Sequence, residues 1–396
     1  MKIEKFYIYT SESFPYGFAA TNRIIAYAKG FLYHGKDVEV VCLAKTESPE
    51  RILNRRILGT YNGIKFRYLA NSTVRSKTFI MRRVDNFIIY FKLFWHAVEY
   101  VNRKCAIIYY SPSTSNLLIL VTIAKIKGAK IYKEDSEHPN MYILSNSNFI
   151  SNMLFKYIHF RLFDGLLLMT KSLVNYYGST KGLTKPILHV PMTVEVDRFK
   201  RINNDKCNSK EIIYTGMLND EKDGTNLLIY AFSRISAVHP EYFLSIFGEA
   251  AIPGDDKRYA DMAEQLQVGN KVHFHGRVDR DVITEKIVNA AILVLPRPDS
   301  FQAQNGFPTK LGEYLATGVP VIATAVGEIP DYLKDNESVF MAIPGDVDSL
   351  IEKFNLIIND YGKALEIAKN GQLVAEQNFS NLQQSADIIR FVEEAR

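Results

Sequence analysis

Along the first half of the chain, short apolar runs alternate with longer segments whose apolar residues recur every three or four positions. The short runs predict buried strands, and the longer segments predict helices. The predicted strands are residues 6–10, 37–43, 64–69, 106–110, 129–133, 165–169 and 187–190, and the predicted helices are residues 19–33, 84–103, 115–127 and 150–163. Alternating strands and helices indicate a parallel sheet with helices on both faces.

The second half repeats this alternation after a polar stretch at 197–210, which we interpret as a linker. The predicted strands are 212–215, 243–247, 272–275, 292–295, 319–323 and 339–342, and the predicted helices are 224–237, 256–267, 280–289, 309–317, 328–334 and 346–358. Residues 364–396 predict two more helices. The predicted fold class is therefore α/β, with two Rossmann-like domains that face each other across a cleft.

The composition favours an intracellular globular protein. A chain of 396 residues is long enough for two cores. Cys42, Cys105 and Cys207 are widely separated, which predicts neither a disulfide framework nor a metal site. The first ten residues carry charges, and no apolar run has the length of a membrane span. We expect a cytoplasmic protein with no nucleic-acid partner.

Positive charge is concentrated at residues 51–104, where twelve Lys and Arg residues face two acidic ones. Aromatic and aliphatic residues are interleaved with them, most densely at 87–95. A basic, aromatic-rich helix can bind an anionic membrane surface, such as the inner face of the cell membrane. The alternative is a core helix with solvated basic flanks, and the sequence alone leaves both open.

One segment of the second half outlines a phosphate site. Pro308 fits the first position of a helix, and Gly318 fits the left-handed residue that ends it. The apolar run at 319–323 predicts the strand that follows. Free N–H groups at such a helix start suit a phosphate, and Lys310 adds a positive charge. Glu313, about one turn further, can reach a sugar hydroxyl of the same ligand.

Together with the turn at 216–224, this segment resembles the C-terminal domain of family 4 glycosyltransferases, which belong to the group 1 glycosyltransferases. The resemblance implies the GT-B fold, with residues 1–195 as the acceptor-binding domain and residues 196–378 as the nucleotide-sugar-binding domain. Residues 379–396 would then be the helix that packs back on the N-terminal domain. The resemblance also implies a retaining reaction, a UDP- or GDP-linked sugar as donor substrate, and no tightly bound cofactor.

The resemblance assigns the donor phosphates to the turn that begins at Gly216. The family often has an arginine at the next position, where this chain has Met217, so that cation is missing. Lys222 matches the second family cation, although a solvated surface lysine is the simpler interpretation without the motif. Arg297, after another predicted strand, is a candidate replacement for the missing cation.

The family also has two glutamates eight positions apart. Glu313 matches the second, which accepts hydrogen bonds from the nucleotide ribose, and Asn305 occupies the first position. An amide can bond to a hydroxyl but supplies neither a negative charge nor a base. This departure leaves the donor sugar open and favours altered or absent activity as an alternative. Backbone groups near the sugar and diphosphate would come from Gly306, Phe307, Pro308 and Thr309.

Three further loops match the family less specifically. After the first predicted strand, Gly17 matches a loop near the donor diphosphate that usually has two adjacent glycines, and an ordinary turn is the alternative. Glu137 and His138 match a position where some members direct a histidine or an acidic residue at the donor sugar; a structural histidine is the alternative. Gly248 and Gly276 each end a predicted strand, and Gly248 is a further candidate donor-binding residue; a sharp strand-to-loop turn is the alternative for both. The resemblance places the backbone of Arg277 and Val278, after Gly276, near the nucleobase.

We therefore expect a retaining hexosyltransferase that acts on a saccharide or lipid-linked saccharide in surface polysaccharide or glycan biosynthesis. The candidate catalytic residues are His138, Glu137, Asn305 and Lys222. No Cys/His cluster has metal-ligand spacing, and the Asp-x-Asp pairs at 279–281 and 346–348 lie where polar helices begin, so we expect metal independence. The alternatives are a nucleotide-sugar 2-epimerase and a catalytically silent subunit that binds a nucleotide sugar or a partner transferase.

Overall fold

The computed structural model describes residues 2–139, 149–180, 184–199, 209–252 and 254–394. The chain divides into two compact units. Unit 1 comprises Met1–Thr193 and Asn381–Arg396, and unit 2 comprises Val194–Ser380. Cys207 and most of the predicted linker lie outside the described residues. Which unit binds the acceptor and which binds the donor stays a prediction.

Unit 1 is built on one sheet. In chain order, its described strands are β1 (Lys5–Thr10), β2 (Asp37–Cys42), β3 (Leu58–Tyr61), β4 (Ile64–Tyr68), β5 (Cys105–Tyr110), β6 (Lys130–Asp135), β7 (Gly165–Leu168) and β8 (Ile187–His189). They lie in the order β3-β4-β2-β1-β5-β6-β7-β8. The pairs are parallel except for β3–β4, an antiparallel hairpin whose turn residues Asn62 and Gly63 both have positive φ.

Helices cover both faces of this sheet. They are α1 (Ala19–Tyr33), α2 (Phe79–Tyr100), α3 (Thr114–Lys127), α4 (Phe149–Tyr157) and α5 (Lys171–Ser179). The hydroxyls of Thr78, Ser113 and Thr170 accept backbone N–H groups where α2, α3 and α5 begin. Within the described ranges, no helix has both the length and the apolar character that a membrane crossing requires.

Unit 2 has a second sheet in which all strand pairs are parallel. Its described strands are β9 (Glu211–Thr215), β10 (Phe243–Phe247), β11 (Val272–Gly276), β12 (Ile292–Leu295), β13 (Val321–Thr324) and β14 (Phe340–Ala342). They lie in the order β11-β10-β9-β12-β13-β14. The inner strands β9, β10, β12 and β13 are almost fully buried, which explains their continuous apolar runs, whereas the edge strand β11 buries only Val272.

The helices of unit 2 connect these strands. They are α6 (Thr225–Val238), α7 (Asp255–Gln265), α8 (Arg280–Val288), α9 (Phe301–Gln304), α10 (Thr309–Ala316), α11 (Ile329–Tyr332), α12 (Val347–Asn359) and α13 (Tyr361–Asn378). A 3-10 turn at Val196–Phe199 begins the unit. Gly318, which follows α10, has φ of 66°, the left-handed conformation that the sequence predicted.

The last helix, α14 (Asn381–Glu394), belongs to unit 1 and packs along α1. The amide of Asn381 donates to the carbonyl of Ala26 at 3.2 Å. A Cβ on Gly30 would lie 2.1 Å from Oγ of Ser385, so glycine permits this close approach. The predicted fold class, α/β with two parallel-sheet units and a returning C-terminal helix, is confirmed.

Several elements differ from the prediction. β3 was not predicted, although the Asn62-Gly63 pair that closes its hairpin is a strong local signal. α5 and α9 were also not predicted, and α9 is too short to show a helical period. α2 begins at Phe79 and not at residue 84, because Thr78 caps it there. The predicted helix at 150–163 ends as α4 at Tyr157 and continues as a 3-10 turn at His159–Leu162.

Candidate functional site

The loops after β9 and β12 leave the sheet of unit 2 side by side. The strand order reverses between these two strands, since β10 and β11 lie beyond β9, whereas β13 and β14 lie beyond β12. Ligands of open parallel sheets bind at the carboxyl ends of the strands beside such a reversal. The predicted site residues Gly216 and Lys222 follow β9, and Arg297 follows β12.

Lys310, in the first turn of α10, reaches back to the end of β9. Its Nζ donates to the hydroxyl of Tyr214 at 3.2 Å and lies 3.2 Å from Oδ2 of Asp223. Burial lowers the pKa of Lys310, and the charge of Asp223 opposes this shift. The ammonium is therefore held where it is poorly hydrated, so a second anion at this place would interact with it more strongly than in open water.

Glycines allow the neighbouring loops to pack closely. Gly216 N–H donates to Phe247 O, and Gly248 N–H donates to Gly276 O, both at 2.8 Å. Gly216 and Gly248 have φ of 138° and 147°, a region that side chains rarely adopt. A Cβ on Gly248 would lie 1.7 Å from the carbonyl oxygen of Gly216, and a Cβ on Gly216 would lie 2.1 Å from Nζ of Lys310. A side chain at residue 248 would require a shift of the backbone, and a side chain at residue 216 would displace the Lys310 ammonium.

Arg297 braces two of these loops. Its side chain is 2% exposed. Nε donates to Lys222 O at 3.2 Å, one terminal nitrogen donates to Gly306 O at 3.2 Å, and the other donates to Gln302 O at 3.4 Å. Burial lowers the pKa of Arg297, and Asp223 opposes the shift. These contacts favour a bracing role over the predicted role as a replacement phosphate cation, because backbone carbonyls occupy all three guanidinium nitrogens.

Lys222 lies half-buried in the loop after β9. Its N–H donates to Oδ1 of Asn219 at 2.8 Å, and its carbonyl accepts the Arg297 bond. The loop then passes Gly224, whose φ of 69° allows a carbonyl–Cα approach that a side chain would block. Among the residues that the structure describes, the ammonium of Lys222 has no carboxylate within ion-pair distance. The backbone is thus fixed while the charge stays available to an anion.

The start of α10 is fixed against the same strand. The hydroxyl of Tyr314 accepts the N–H of Thr215 at 2.7 Å and bonds to its Oγ1 at 2.9 Å. We predicted Pro308 as the first helical residue, but it is the N-cap residue. No side chain caps this helix. The first turn of α10 also holds Lys310. The N–H of Leu311 bonds to Pro308 O at 3.0 Å, and the N–H groups of Thr309 and Lys310 at this helix start suit an anion.

Glu313, one turn into α10, is half-buried among other charges of unit 2. Burial raises the pKa of Glu313, and the charges of Arg198 and Arg280 oppose the shift. Arg280 donates to Oε1 of Glu195 at 2.6 Å, and Arg198 donates to the backbone carbonyl of Arg280. Two cations and a second carboxylate thus surround Glu313. Sequence reasoning missed all three, because Glu195 and Arg198 lie in or beside the predicted linker.

The loop before α10 is anchored by the side chain of Phe307. This ring is 3% exposed, stacks on Tyr332 at 5.4 Å and meets Phe379 edge-on at 5.6 Å. The side chain of Phe307 is therefore unavailable to a ligand, and a ligand contact through its backbone stays a prediction. Asn305 ends α9, and its Nδ2 donates to Phe301 O at 2.9 Å.

The remaining residues of unit 2 that were predicted to bind the donor lie in two loops. Arg277 and Val278 are half-buried and directly follow Gly276, the last residue of β11. Gly306 is held through its carbonyl by Arg297. In unit 2 the structure thus brings Gly216, Lys222, Lys310, Arg297 and Gly306 together at one edge. The contacts missed from the sequence were Tyr214 and Asp223, which hold Lys310.

Gly17, Glu137 and His138 belong to unit 1. Its strand order reverses between β1 and β5, and Gly17 lies in the loop after β1. A Cβ on Gly17 would lie 1.9 Å from Oγ1 of Thr21, so the loop packs tightly on α1. His138 meets the ring of Tyr176 edge-on at 4.7 Å, and burial lowers its pKa. Burial raises the pKa of the Glu12 carboxyl, and the nearby charge of Glu137 raises it further.

Carboxylates and histidines within the described ranges form no group of three or more with the geometry of a metal site. The positive groups at the unit 2 edge are instead Lys222, Lys310 and the start of α10. Such a set can bind a multiply charged anion such as a diphosphate. Glu313, beside it, can accept hydrogen bonds from hydroxyls of the same ligand.

Comparisons with known proteins agree with this description. Residues 195–374 match the family described as "Glycosyl transferases group 1". The chain is 27% identical over 183 residues to an uncharacterized glycosyltransferase, MJ1607, of Methanocaldococcus jannaschii, which covers 46% of this chain and 44% of that protein. It is 30% identical over 138 residues to the gpi3 subunit of phosphatidylinositol N-acetylglucosaminyltransferase of Schizosaccharomyces pombe, or 35% of this chain and 28% of that protein. The matches thus span less than half the length of these curated relatives.

Solved structures resemble the chain over almost its full length. Sucrose-phosphate synthase from Thermosynechococcus elongatus has a TM-score of 0.75 at 14% identity, covering 99% of this chain and 98% of its own. Anabaena Alr3699/HepE, in complex with UDP and glucose, has a TM-score of 0.72 at 16% identity, covering 98% and 99%. The chain therefore has the GT-B fold, and its residues 195–374 match the model of the group 1 glycosyl transferases.

Proposed function

We propose that the protein is a retaining glycosyltransferase. It transfers a sugar from a UDP- or GDP-linked donor to a saccharide or lipid-linked saccharide acceptor, in surface polysaccharide or glycan biosynthesis. The observation that carries the proposal is the half-buried Lys310, whose ammonium lies against Gly216, near the positive charge of Lys222 and at the uncapped start of α10. These groups form an anion site at the edge where parallel sheets bind ligands.

The donor diphosphate would bind between Lys222 and the start of α10. In the reaction, the bond between the anomeric carbon and the diphosphate oxygen breaks, and negative charge develops on the leaving phosphate. Lys222, Lys310 and the N–H groups of α10 stabilise that charge, which lowers the barrier without requiring a metal ion. Asp223 holds Lys310 in place before the donor arrives.

The configuration at the anomeric carbon is retained if the acceptor attacks on the face that the diphosphate leaves. The acceptor oxygen then forms the new bond to the anomeric carbon, and its proton passes to an oxygen of the departing phosphate. The protein supplies alignment and charge stabilisation, and it needs no nucleophile of its own. Glu137 or His138 of unit 1 would contact the donor sugar, and Asn305 would bond to one of its hydroxyls.

Glu313 would hold the nucleotide through the ribose hydroxyls. A carboxylate accepts two such bonds, whereas it would repel the phosphates. The proposal is supported by its half-buried position on α10, about one helical turn after Lys310. The solved structure of Anabaena Alr3699/HepE holds UDP and glucose, which makes UDP the first nucleotide to test.

A silent subunit that binds a nucleotide sugar or a partner transferase is the second candidate. Two specific residues favour it: Asn305 lacks the charge of the family glutamate, and Met217 lacks the family cation. Such a subunit would bind the nucleotide through Lys310 and Glu313 but would not turn the donor over. Binding and turnover must therefore be measured separately.

The first experiment is calorimetry of UDP, GDP and their common sugars in the presence of EDTA, on wild type, Glu313→Ala and Lys310→Met. The expected result is specific binding of one nucleotide, weakened in both variants. Release of that nucleotide from its sugar in the presence of a mixed saccharide acceptor would support the transferase. Binding without turnover would support the silent subunit, and a folded protein that binds no nucleotide would contradict both.

A further inference from the structure

The outward face of α2 carries a row of exposed apolar side chains, and we propose that it docks unit 1 on an anionic lipid bilayer. Docking itself does not depend on the proposed catalytic function. Only the link between the position of α2 and a lipid-linked acceptor rests on the proposed function. Docking rests on the burial, spacing and charge of residues 75–95 in unit 1.

α2 has two apolar faces, and only one of them is used by the fold. Ile89, Leu93, His96 and Ala97 are buried against the rest of unit 1, and Nδ1 of His96 bonds to the hydroxyl of Tyr9 at 3.0 Å. An ordinary surface helix is polar on the opposite side. On α2 the opposite side is apolar as well, so burial of the inner face leaves a second apolar stripe in water.

This stripe is long and regular. Ile80, Val84, Phe87, Phe91 and Phe94 recur at intervals of four and three residues, which places them on one side of the helix. Their exposed fractions are 74%, 45%, 72%, 60% and 44%, and Phe79, Met81 and Trp95 are exposed beside them. Single exposed apolar residues are common, but a contiguous row of this kind marks an interaction surface.

The charges around the stripe are almost all positive. Arg75, Lys77, Arg82 and Arg83 precede or flank its first turns, and the guanidinium of Arg83 lies 5.0 Å from the ring centre of Phe79. Between residues 79 and 94 the only carboxylate is Asp85. It lies 2.7 Å from Lys45 and accepts a bond from Ser76, so it is already neutralised.

These charges favour a lipid partner over a second copy of the chain. In a pair of copies joined through the stripe, the cations flanking one helix would meet those of the other, with no carboxylate to compensate them. An anionic bilayer compensates them and also accepts the aromatic rings, since Trp and Phe are favoured at the boundary between headgroups and acyl chains.

The N-terminal end of the stripe lies near the carboxyl edge of the sheet in unit 1. α2 follows β4 and precedes β5, and both strands run parallel to β1. Its N-terminal end therefore lies at the carboxyl edge of the sheet, together with the loop that holds Gly17. If the proposed function holds, a docked bilayer would present a lipid-linked acceptor to this edge.

The test uses Trp95, the single tryptophan of the chain, which is 53% exposed on this face. Vesicles of phosphatidylcholine alone, or mixed with phosphatidylglycerol, are added to the protein. We expect co-sedimentation and a shift of Trp95 emission to shorter wavelength with the mixed vesicles only. The double variant Phe87→Glu/Phe91→Glu should lose at least roughly tenfold in vesicle affinity. Lys77→Gln/Arg83→Gln should lose on the order of fivefold per charge at low salt.

The matched control is Tyr33→Glu/Val238→Glu, which makes the same kind of change at exposed apolar positions outside α2. It should bind vesicles as wild type does, and all variants should keep wild-type nucleotide affinity, which separates this proposal from the donor site. Failure of the wild type to bind mixed vesicles would overturn the proposal. A dimer in sedimentation analysis that Phe87→Glu/Phe91→Glu dissolves, without vesicle binding, would overturn it in favour of a second copy.

Discussion

Gly216 leaves the space that the ammonium of Lys310 fills. A Cβ on residue 216 would lie 2.1 Å from Nζ of Lys310, and the φ of 138° at this glycine already disfavours a side chain. Gly216 lies in the loop after β9, and Lys310 lies in α10. Their contact brings the ammonium to the edge of the sheet. The glycine therefore acts through the position of the lysine.

This relationship predicts the effect of Gly216→Ala on nucleotide binding. The methyl group displaces the Lys310 ammonium, so the affinity for UDP should fall roughly tenfold to a hundredfold, the effect of losing one charged hydrogen bond. Lys310→Met should cause a similar loss, and the double variant should be no weaker than Lys310→Met, because both changes remove one interaction. Calorimetry measures each affinity.

The matched control for this prediction is Gly345→Ala. Gly345 also has a positive φ, of 78°, but a Cβ there meets no atom within 4 Å. The control variant therefore carries the backbone strain without the displaced cation. If Gly216→Ala binds UDP as tightly as Gly345→Ala, the ammonium is not part of the nucleotide site.

Glu313→Gln should separate the ribose from the diphosphate. UDP affinity should fall roughly tenfold through the loss of charge-assisted hydrogen bonds, whereas pyrophosphate, which lacks a ribose, should bind as in wild type. Because burial raises the pKa of Glu313, its proton returns at a higher pH than for an ordinary glutamate. Wild-type UDP affinity should therefore decline as the pH falls towards that raised pKa, and Glu313→Gln should lack this decline.

Glu337→Gln, at a side chain that is 68% exposed, is the control for Glu313→Gln. It changes the net charge equally and should leave both affinities unchanged. An equal loss of UDP and pyrophosphate binding in Glu313→Gln would instead place the carboxylate near the phosphates or in the support of Lys310.

The places of Lys310 and Glu313 in α10 could be predicted from a local pattern, whereas their roles in binding stay predictions. Pro308 and Gly318 delimit a short helix, and a residue's place in that helix follows from its number. The partners of Lys310 could not be predicted in this way. Tyr214 is 96 positions away in the sequence, and only the pairing of strands in the sheet brings it within 3.2 Å.

The contacts of Arg297 also could not be predicted from the sequence. Its type and its place after β12 favoured a phosphate ligand, but the fold buries it among three carbonyls. On α2, the sequence predicted a basic and aromatic segment and left two interpretations open. The burial of Ile89 and Leu93 on the inner face determines which aromatic residues remain outside.

Arg297→Lys tests the bracing role directly. A lysine cannot reach three separated carbonyls with one ammonium, so unit 2 should lose roughly 3 kcal/mol of its free energy of unfolding. Arg297→Met should lose at least as much. Urea unfolding followed by circular dichroism measures the free energy of unfolding of each variant. A phosphate ligand would behave in the opposite way: Arg297→Lys would keep the stability of unit 2 and lower only the affinity for UDP.

Acid should destabilise unit 1 through His96. Burial lowers the pKa of this imidazole from 6.5 to about 4, so between these values the unfolded chain binds a proton that the folded unit does not. The free energy of unfolding therefore falls as the pH drops through this window, by up to roughly 3 kcal/mol from His96 alone.

In His96→Gln the amide can still bond to the Tyr9 hydroxyl but does not titrate. The variant should therefore be less stable than wild type at neutral pH and should lose less stability on acidification. Urea unfolding followed by Trp95 fluorescence, which reports on unit 1, measures both slopes; equal slopes would mean that His96 is not the group responsible.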